Sequence, residues 1–203
     1  GVDVNGDLTV NDGILLVNGG PSTVPDGAFD FVIFNINGGL VIGVGSAAMA
    51  EPASQSSIQN SVLYNFESSL QAEEIVHIES QLGEEIFSYA SSKDIQSILF
   101  SSPDILDEET YLIYIGGSAS GEIRDGLYSS GSYEMGNQVD SFVITDITTT
   151  AGAVVDGFMA GGGGFPQGQR EDGMNVPPMG NFEIDEITQL IVGILSLDGT
   201  DLS

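Results

Sequence analysis

The sequence contains no cysteine, a single histidine, and only three basic residues, Lys93, Arg124 and Arg170. Without cysteine there are no disulfides and no thiolate metal sites. The scarcity of lysine and arginine argues against nucleic-acid binding, because neutralising phosphates requires cationic side chains. No apolar run is long enough to cross a bilayer as a helix, so no membrane span is expected. Nor does a basic-then-apolar segment follow Gly1, so a removed leader or a fragment is expected. A histidine without His or Cys companions is a poor metal site; His77, set between acids in an alternating run, reads as an exposed strand position.

Acid is what the chain has in excess. Thirty Asp and Glu residues give a formal net charge of -27. Such self-repulsion costs stability unless cations screen or bind it, and the Debye length is only ~8 Å at physiological salt. Bound divalent cations or residence in concentrated salt would each supply the screening. With 203 residues and 41% hydrophobic content, the chain can build one or two closely packed domains.

The longest regular stretch runs from Ser61 to Gly117. Its apolar residues recur by twos: Val62, Tyr64, Phe66; Val76, Ile78; Phe87, Tyr89; Ile98, Phe100; Tyr111, Ile113, Ile115. Period two predicts strands with one buried and one wet face. The runs are separated by Gln81 to Glu84, Ser91 to Asp94 and Pro103 to Asp107, which carry turn-forming residues. The block is therefore expected to be all-β.

Residues 1–50 read as short strands at a coarse repeat (Val2 to Val10, Gly13 to Val17, Phe29 to Ile36, Leu40 to Val44), which points to coils of a solenoid. Asp3, Asn5 and Asp7 imitate the opening of a calcium-binding helical loop. That loop needs Gly at its sixth position and Glu at its twelfth, where Leu8 and Ile14 stand, so an EF-hand fails. Oxygen ligands crowd at Asp3, Asn5, Asp7, Asp26 and Asp30, which are the candidate metal-binding residues. Glu51 to Asn60 is polar and reads as a loop leaving the stack. Tyr128 and Tyr133 lie in a Gly/Ser-rich stretch; their rings either stack on sugars or pin a hairpin. Residues 151–180 read as a Gly/Pro-rich linker or loop. The apolar segment 181–203, with Asn181 as a possible cap, is ambiguous between helix and strand.

Several separated phrases, in order, resemble a bacterial family of carbohydrate-binding domain-containing proteins. They are Val17-Asn18-Gly19-Gly20-Pro21, Asp26 to Phe31, Gly45 to Ala50, Ser61 to Phe66, Gln96 to Asp104, Glu109-Thr110-Tyr111, Gly116-Gly117, Gly126-Leu127-Tyr128 and Ser141-Phe142. The resemblance implies an extracellular or cell-surface protein built on a right-handed parallel β-helix like that of pectate lyases. On it, residues 1–50 form coils and 51–150 a β-rich block continuing or capping them. It also implies polysaccharide as ligand, acidic polymers included, with calcium as cofactor. The charge leads to the same cofactor independently, since an anionic protein holding an anionic polymer must place cations between them. Lyase activity is not expected. β-Elimination needs a cationic base held on a rung, and none of the three basic residues falls on one. A self-assembling homo-oligomer or filament, joined head to tail through strand edges, is the alternative expectation.

Overall fold

The computed structural model describes residues 1–154 and the strand residues 182–184, 190–192 and 195–196. Of the stretch 151–180 read as a linker or loop, Ala151 and Gly152 instead end a strand, and residues 155–180 lie outside the described residues, as does the possible cap Asn181. Among the described residues twenty strands and one short 3-10 turn follow in order: β1 (Val2–Asp3), β2 (Asp7–Val10), β3 (Ile14–Asn18), β4 (Phe29–Asp30), β5 (Ile33–Ile36) and β6 (Leu40–Gly45), then the turn Ala47–Met49. Next come β7 (Ser61–Leu70), β8 (Ile75–Ser80), β9 (Glu85–Ala90), β10 (Ile95–Ser101) and β11 (Thr110–Ile115). The remaining strands are β12 (Ser118–Ala119), β13 (Glu122–Arg124), β14 (Leu127–Ser129), β15 (Tyr133–Glu134), β16 (Asn137–Val143), β17 (Thr148–Gly152), β18 (Phe182–Ile184), β19 (Leu190–Val192) and β20 (Leu195–Ser196). Among the described residues no helix is long and apolar enough to cross a membrane.

The protein is thus all-β, but its sheets are mixed and antiparallel rather than one continuous run of parallel coils. Parallel pairing is concentrated at the N-terminal strands. β1, β2 and β3 pair in parallel with β4, β5 and β6, at offsets of 27, 26 and 26 residues. The C-terminal segment, ambiguous in sequence, supplies three strands that pair in parallel with the same three: β20 with β1, β18 with β2, β19 with β3. Burial alternates along the first strands, with Val2, Val4, Leu8 and Val10 inside and Asp3 and Asn5 outside.

The two larger sheets stack. The central sheet has the order β17-β7-β10-β6-β3-β19, and the outer sheet, antiparallel throughout, has the order β13-β14-β9-β8-β11-β16. Every apolar residue of the period-two pattern between Val62 and Ile113 lies in the core between them. The turns fall where expected, between β8 and β9, β9 and β10, and β10 and β11.

The wet face expected opposite that core is absent from the central sheet. Leu63, Leu99, Val41, Leu15 and Val17 belong to a second core, shared with Leu8, Val10, Phe34 and Ile36 of β2 and β5. Continuous burial on both faces explains why Ser61–Phe66 and Leu40–Gly45 carry small or apolar residues at nearly every position. Gly43 is one such concession: a Cβ there would meet the Phe29 ring at 2.2 Å.

The polar loop 51–60 does not leave the stack. Ser54 Oγ accepts from the Phe34 amide and Ser57 Oγ from the Ile36 amide. The Ser54 amide in turn donates to the Phe34 carbonyl, and the amides of Ile58 and Gln59 to that of Ile36. The loop thereby acts as a surrogate strand on the outer edge of β5.

Candidate functional site

The outer face of the antiparallel sheet carries a polar row built by register alone. Ile123, Tyr128, Ser88, His77, Tyr114 and Gln138 stand directly opposite one another across β13, β14, β9, β8, β11 and β16. Adjacent strands lie about 4.8 Å apart, so Tyr128 and His77 are separated by about 10 Å along the row. On β8, Val76 and Ile78 face the core; the same alternation turns His77 and Glu79 to the other face.

A small hairpin folds over this row. Gly116 and Gly117 adopt left-handed φ values of 78° and 76°, which turns the chain back after β11. A Cβ on Gly117 would strike the Glu134 carbonyl at 2.3 Å. β12 then pairs with β15, and Tyr133 lies flat on His77 with ring centroids 3.9 Å apart and planes 10° from parallel. The Tyr133 hydroxyl donates to the Gly116 carbonyl (2.9 Å) and accepts from the Gly136 amide (3.0 Å). Tyr114 meets the histidine edge-on at 5.9 Å.

His77 is therefore 2% exposed, not the exposed strand residue expected from its acidic neighbours. The hairpin, which the local alternation could not announce, is the reason. Its Nε2 lies 3.3 Å from Glu79 Oε2, and its Nδ1 lies 2.7 Å from Ser88 Oγ and 3.5 Å from Glu85 Oε2. Burial lowers the His77 pKa below the ordinary imidazole value, opposed by its hydrogen bond to Glu79 and by the charges of Glu85 and Glu79. In a neutral ring Nε2–H donates to Glu79, and the single proton of the Ser88 hydroxyl is contested between His77 Nδ1 (2.7 Å) and Glu85 Oε2 (3.2 Å). Burial raises the Tyr114 and Tyr133 phenols, with the Glu79 charge adding to both. Serine, histidine and glutamate in contact invite comparison with a nucleophilic triad. Here, however, Ser88 is 1% exposed beside a histidine covered by Tyr133.

Both tyrosines singled out in the sequence belong to this face. Tyr128 is half-buried on β14, and Tyr133, also half-buried, pins the hairpin while covering the histidine. Glu79, Glu85, Ser88 and Tyr114 were not singled out, although His77-x-Glu79 carried the period-two signal that sets two polar groups on one face.

The candidate metal residues divide. Asp3 stands directly opposite Asp30 on the β1–β4 pair, and both line a cleft of about 320 Å³ with Asp26 and Glu51. Burial raises the Asp30 pKa, with Asp3 and Asp26 adding to the effect; burial, then Asp30, raises Glu51. Asn5 and Asp7 do not line the cleft. Oxygen donors of this kind suit calcium, but among the described residues no three Asp, Glu, His or Cys side chains converge on one point to hold an ion. The acids share a field without forming a coordination shell. No protein-family model, no curated protein and no solved structure matches this chain.

Proposed function

We propose that the chain is a non-catalytic carbohydrate-binding protein of the cell exterior or surface, with the outer face of the antiparallel sheet as its saccharide platform. The row that sets Tyr128 two strands from the Tyr133–His77 stack, with Glu79 and Glu85 on the same face, carries this reading. Tyrosine rings offer apolar faces for sugar rings, and the exposed Glu85 carboxylate accepts from sugar hydroxyls, while the buried Glu79 holds His77. The sequence resemblance supports the same ligand class. It also reads β1–β6 as coils of a right-handed parallel β-helix, a reading favoured by the near-constant offset of the three parallel pairs. Burial of Ser88 and His77 favours binding over catalysis, since a substrate carbonyl has no approach to the hydroxyl.

Calcium enters this proposal as a bridge between an anionic protein and an acidic polysaccharide, not as the occupant of a ready-made shell. Affinity electrophoresis in gels containing acidic or neutral polysaccharides, with calcium or chelator, tests it. Retardation by an acidic polymer in calcium is expected, and Tyr128→Ala should abolish it without changing the circular dichroism spectrum. Absence of retardation by every polymer, or undiminished retardation of the variant, overturns the reading. A head-to-tail filament has weaker support: β18, β19 and β20 are outermost in their sheets, but at the far side the serine loop occupies the β5 edge.

A further inference from the structure

We infer that the seam between the two stacked sheets, at their edge strands β16 and β17, is a docking groove for an extended, positively charged peptide segment of another protein. β17 ends the central sheet and β16 ends the outer one. The flanks meet where Tyr64 of β7 packs against Phe142 of β16, ring centroids 6.1 Å apart, and donates its hydroxyl to Asp140 Oδ2 at 3.2 Å. Between them opens a cleft of about 430 Å³, within the range of ligand-binding pockets. Phe66, Leu70, Ile115 and Val139 form its apolar lining, and Glu67 and Asp140 supply carboxylates.

Three observations select the occupant. The first is backbone. Among the described residues β16 pairs with β11 along one edge only, and its register shifts so that Val139 has no partner residue on β11 and is 45% exposed. The Ser141 amide already donates to Asp140 Oδ1 at 2.8 Å, so an added strand would pair with the backbone groups of β16 on either side of it. The second is charge. Among the described residues no lysine or arginine lies within ion-pairing distance of Glu67 or Asp140. Burial and the Asp140 carboxylate push the Tyr64 phenol far above its ordinary pKa, which marks the cleft wall as poorly solvated and negative. The third is shape. A lysine or arginine stem can lie along Phe66, Leu70 and Ile115 while its charged end reaches the carboxylates at the rim. Natural edge strands are commonly protected by lysine or proline, and β16 carries neither. Its inward-facing Asp140 and the net charge of -27 repel a second copy of this chain, but they attract a basic strand.

The test is fluorescence anisotropy with a short labelled peptide alternating lysine and valine, alongside a glutamate–valine control, read together with backbone amide shifts. A chain this acidic attracts any cation, so the variants decide. Glu67→Gln with Asp140→Asn keeps a hydrogen-bonding group beside Tyr64 and should weaken binding about tenfold or more, equivalent to about 1.4 kcal/mol. Glu108→Gln with Glu109→Gln removes equal charge elsewhere and should leave binding nearly unchanged. Val139→Ala, which trims an exposed apolar side chain of the cleft, should weaken binding while leaving saccharide retardation intact. Amide shifts should concentrate in 137–143 and 148–152. Equal losses in both double variants, shifts spread over the acidic surface, or binding of the glutamate peptide would each overturn the proposal. Displacement of the peptide by saccharide would overturn it as well, by making the seam and the platform one site.

Discussion

At the scale of single residues, His77 concentrates the most physical chemistry. Its neutral form is favoured by burial, so its folded pKa lies below the ordinary value of about 6.5. The sign follows from linkage: a histidine with a depressed folded pKa contributes stability above its unfolded pKa and loses it as the pH falls through the folded value. Thermal unfolding should therefore show an acid-side loss of stability that begins as the pH falls through the ordinary imidazole value of about 6.5 and levels off below the depressed folded pKa. In His77→Gln, which retains hydrogen-bonding capacity but does not titrate, that component should vanish. An unchanged pH profile in the variant would show that other groups control the acid limb. Asp30 and Glu51, whose pKa values burial raises, act in the opposite sense, because protonating them relieves a cost of the folded state. The acidic neighbours of His77 were plain in the sequence, but its burial was not. It depends on a tyrosine 56 positions later, brought back by Gly116 and Gly117.

At the scale of elements, the loop 51–60 shows side chains standing in for a strand. Ser57→Ala leaves the buried Ile36 amide without its acceptor, and an unsatisfied buried donor costs about 1–3 kcal/mol. Ser54→Ala does the same at the Phe34 amide, which is only part-buried, so its cost should be smaller. Denaturant unfolding would measure both, and hydrogen exchange should quicken at Ile36 in the first variant and Phe34 in the second. Exchange unchanged at those amides would mean that the loop merely lies nearby. The serines read as ordinary loop composition, since nothing local tells a capping hydroxyl from a solvated one. The strands and turns between Ser61 and Gly117 were legible because alternation and turn chemistry are local signals. Pairing direction was not: the same alternation suits parallel and antiparallel neighbours. Only contacts between distant segments decide that β7 and β10 run antiparallel while β3 and β6 run parallel.

At the scale of the molecule, charge dominates. Lys93 directs its ammonium to the carbonyls of Gly19 (2.8 Å) and Asn18 (3.4 Å) rather than to a carboxylate, and Arg124 is 4.0 Å from Asp125 at an exposed site. These cations leave the acidic surface largely unneutralised. Raising ionic strength from about 0.01 to 0.15 M shortens the Debye length from about 30 to 8 Å, and the melting temperature should rise with it. Because no coordination shell is present among the described residues, calcium and magnesium should raise it alike at matched ionic strength. A calcium-specific increment, measured by scanning calorimetry, would instead require a true ion site. Composition made the repulsion legible, but not the arrangement of the acids, which depends on which strands neighbour one another.

The pairing of β18, β19 and β20 with β1, β2 and β3 also has a consequence in time. Leu15 must wait for Leu190, 175 positions later. At about 5–20 residues per second, a ribosome needs about 9–35 s to deliver the partner. During that interval the first strands emerge with one flank of hydrogen-bonding groups unmatched. These early strands are completed late, and the nascent chain must keep that flank from other strands until β18, β19 and β20 arrive.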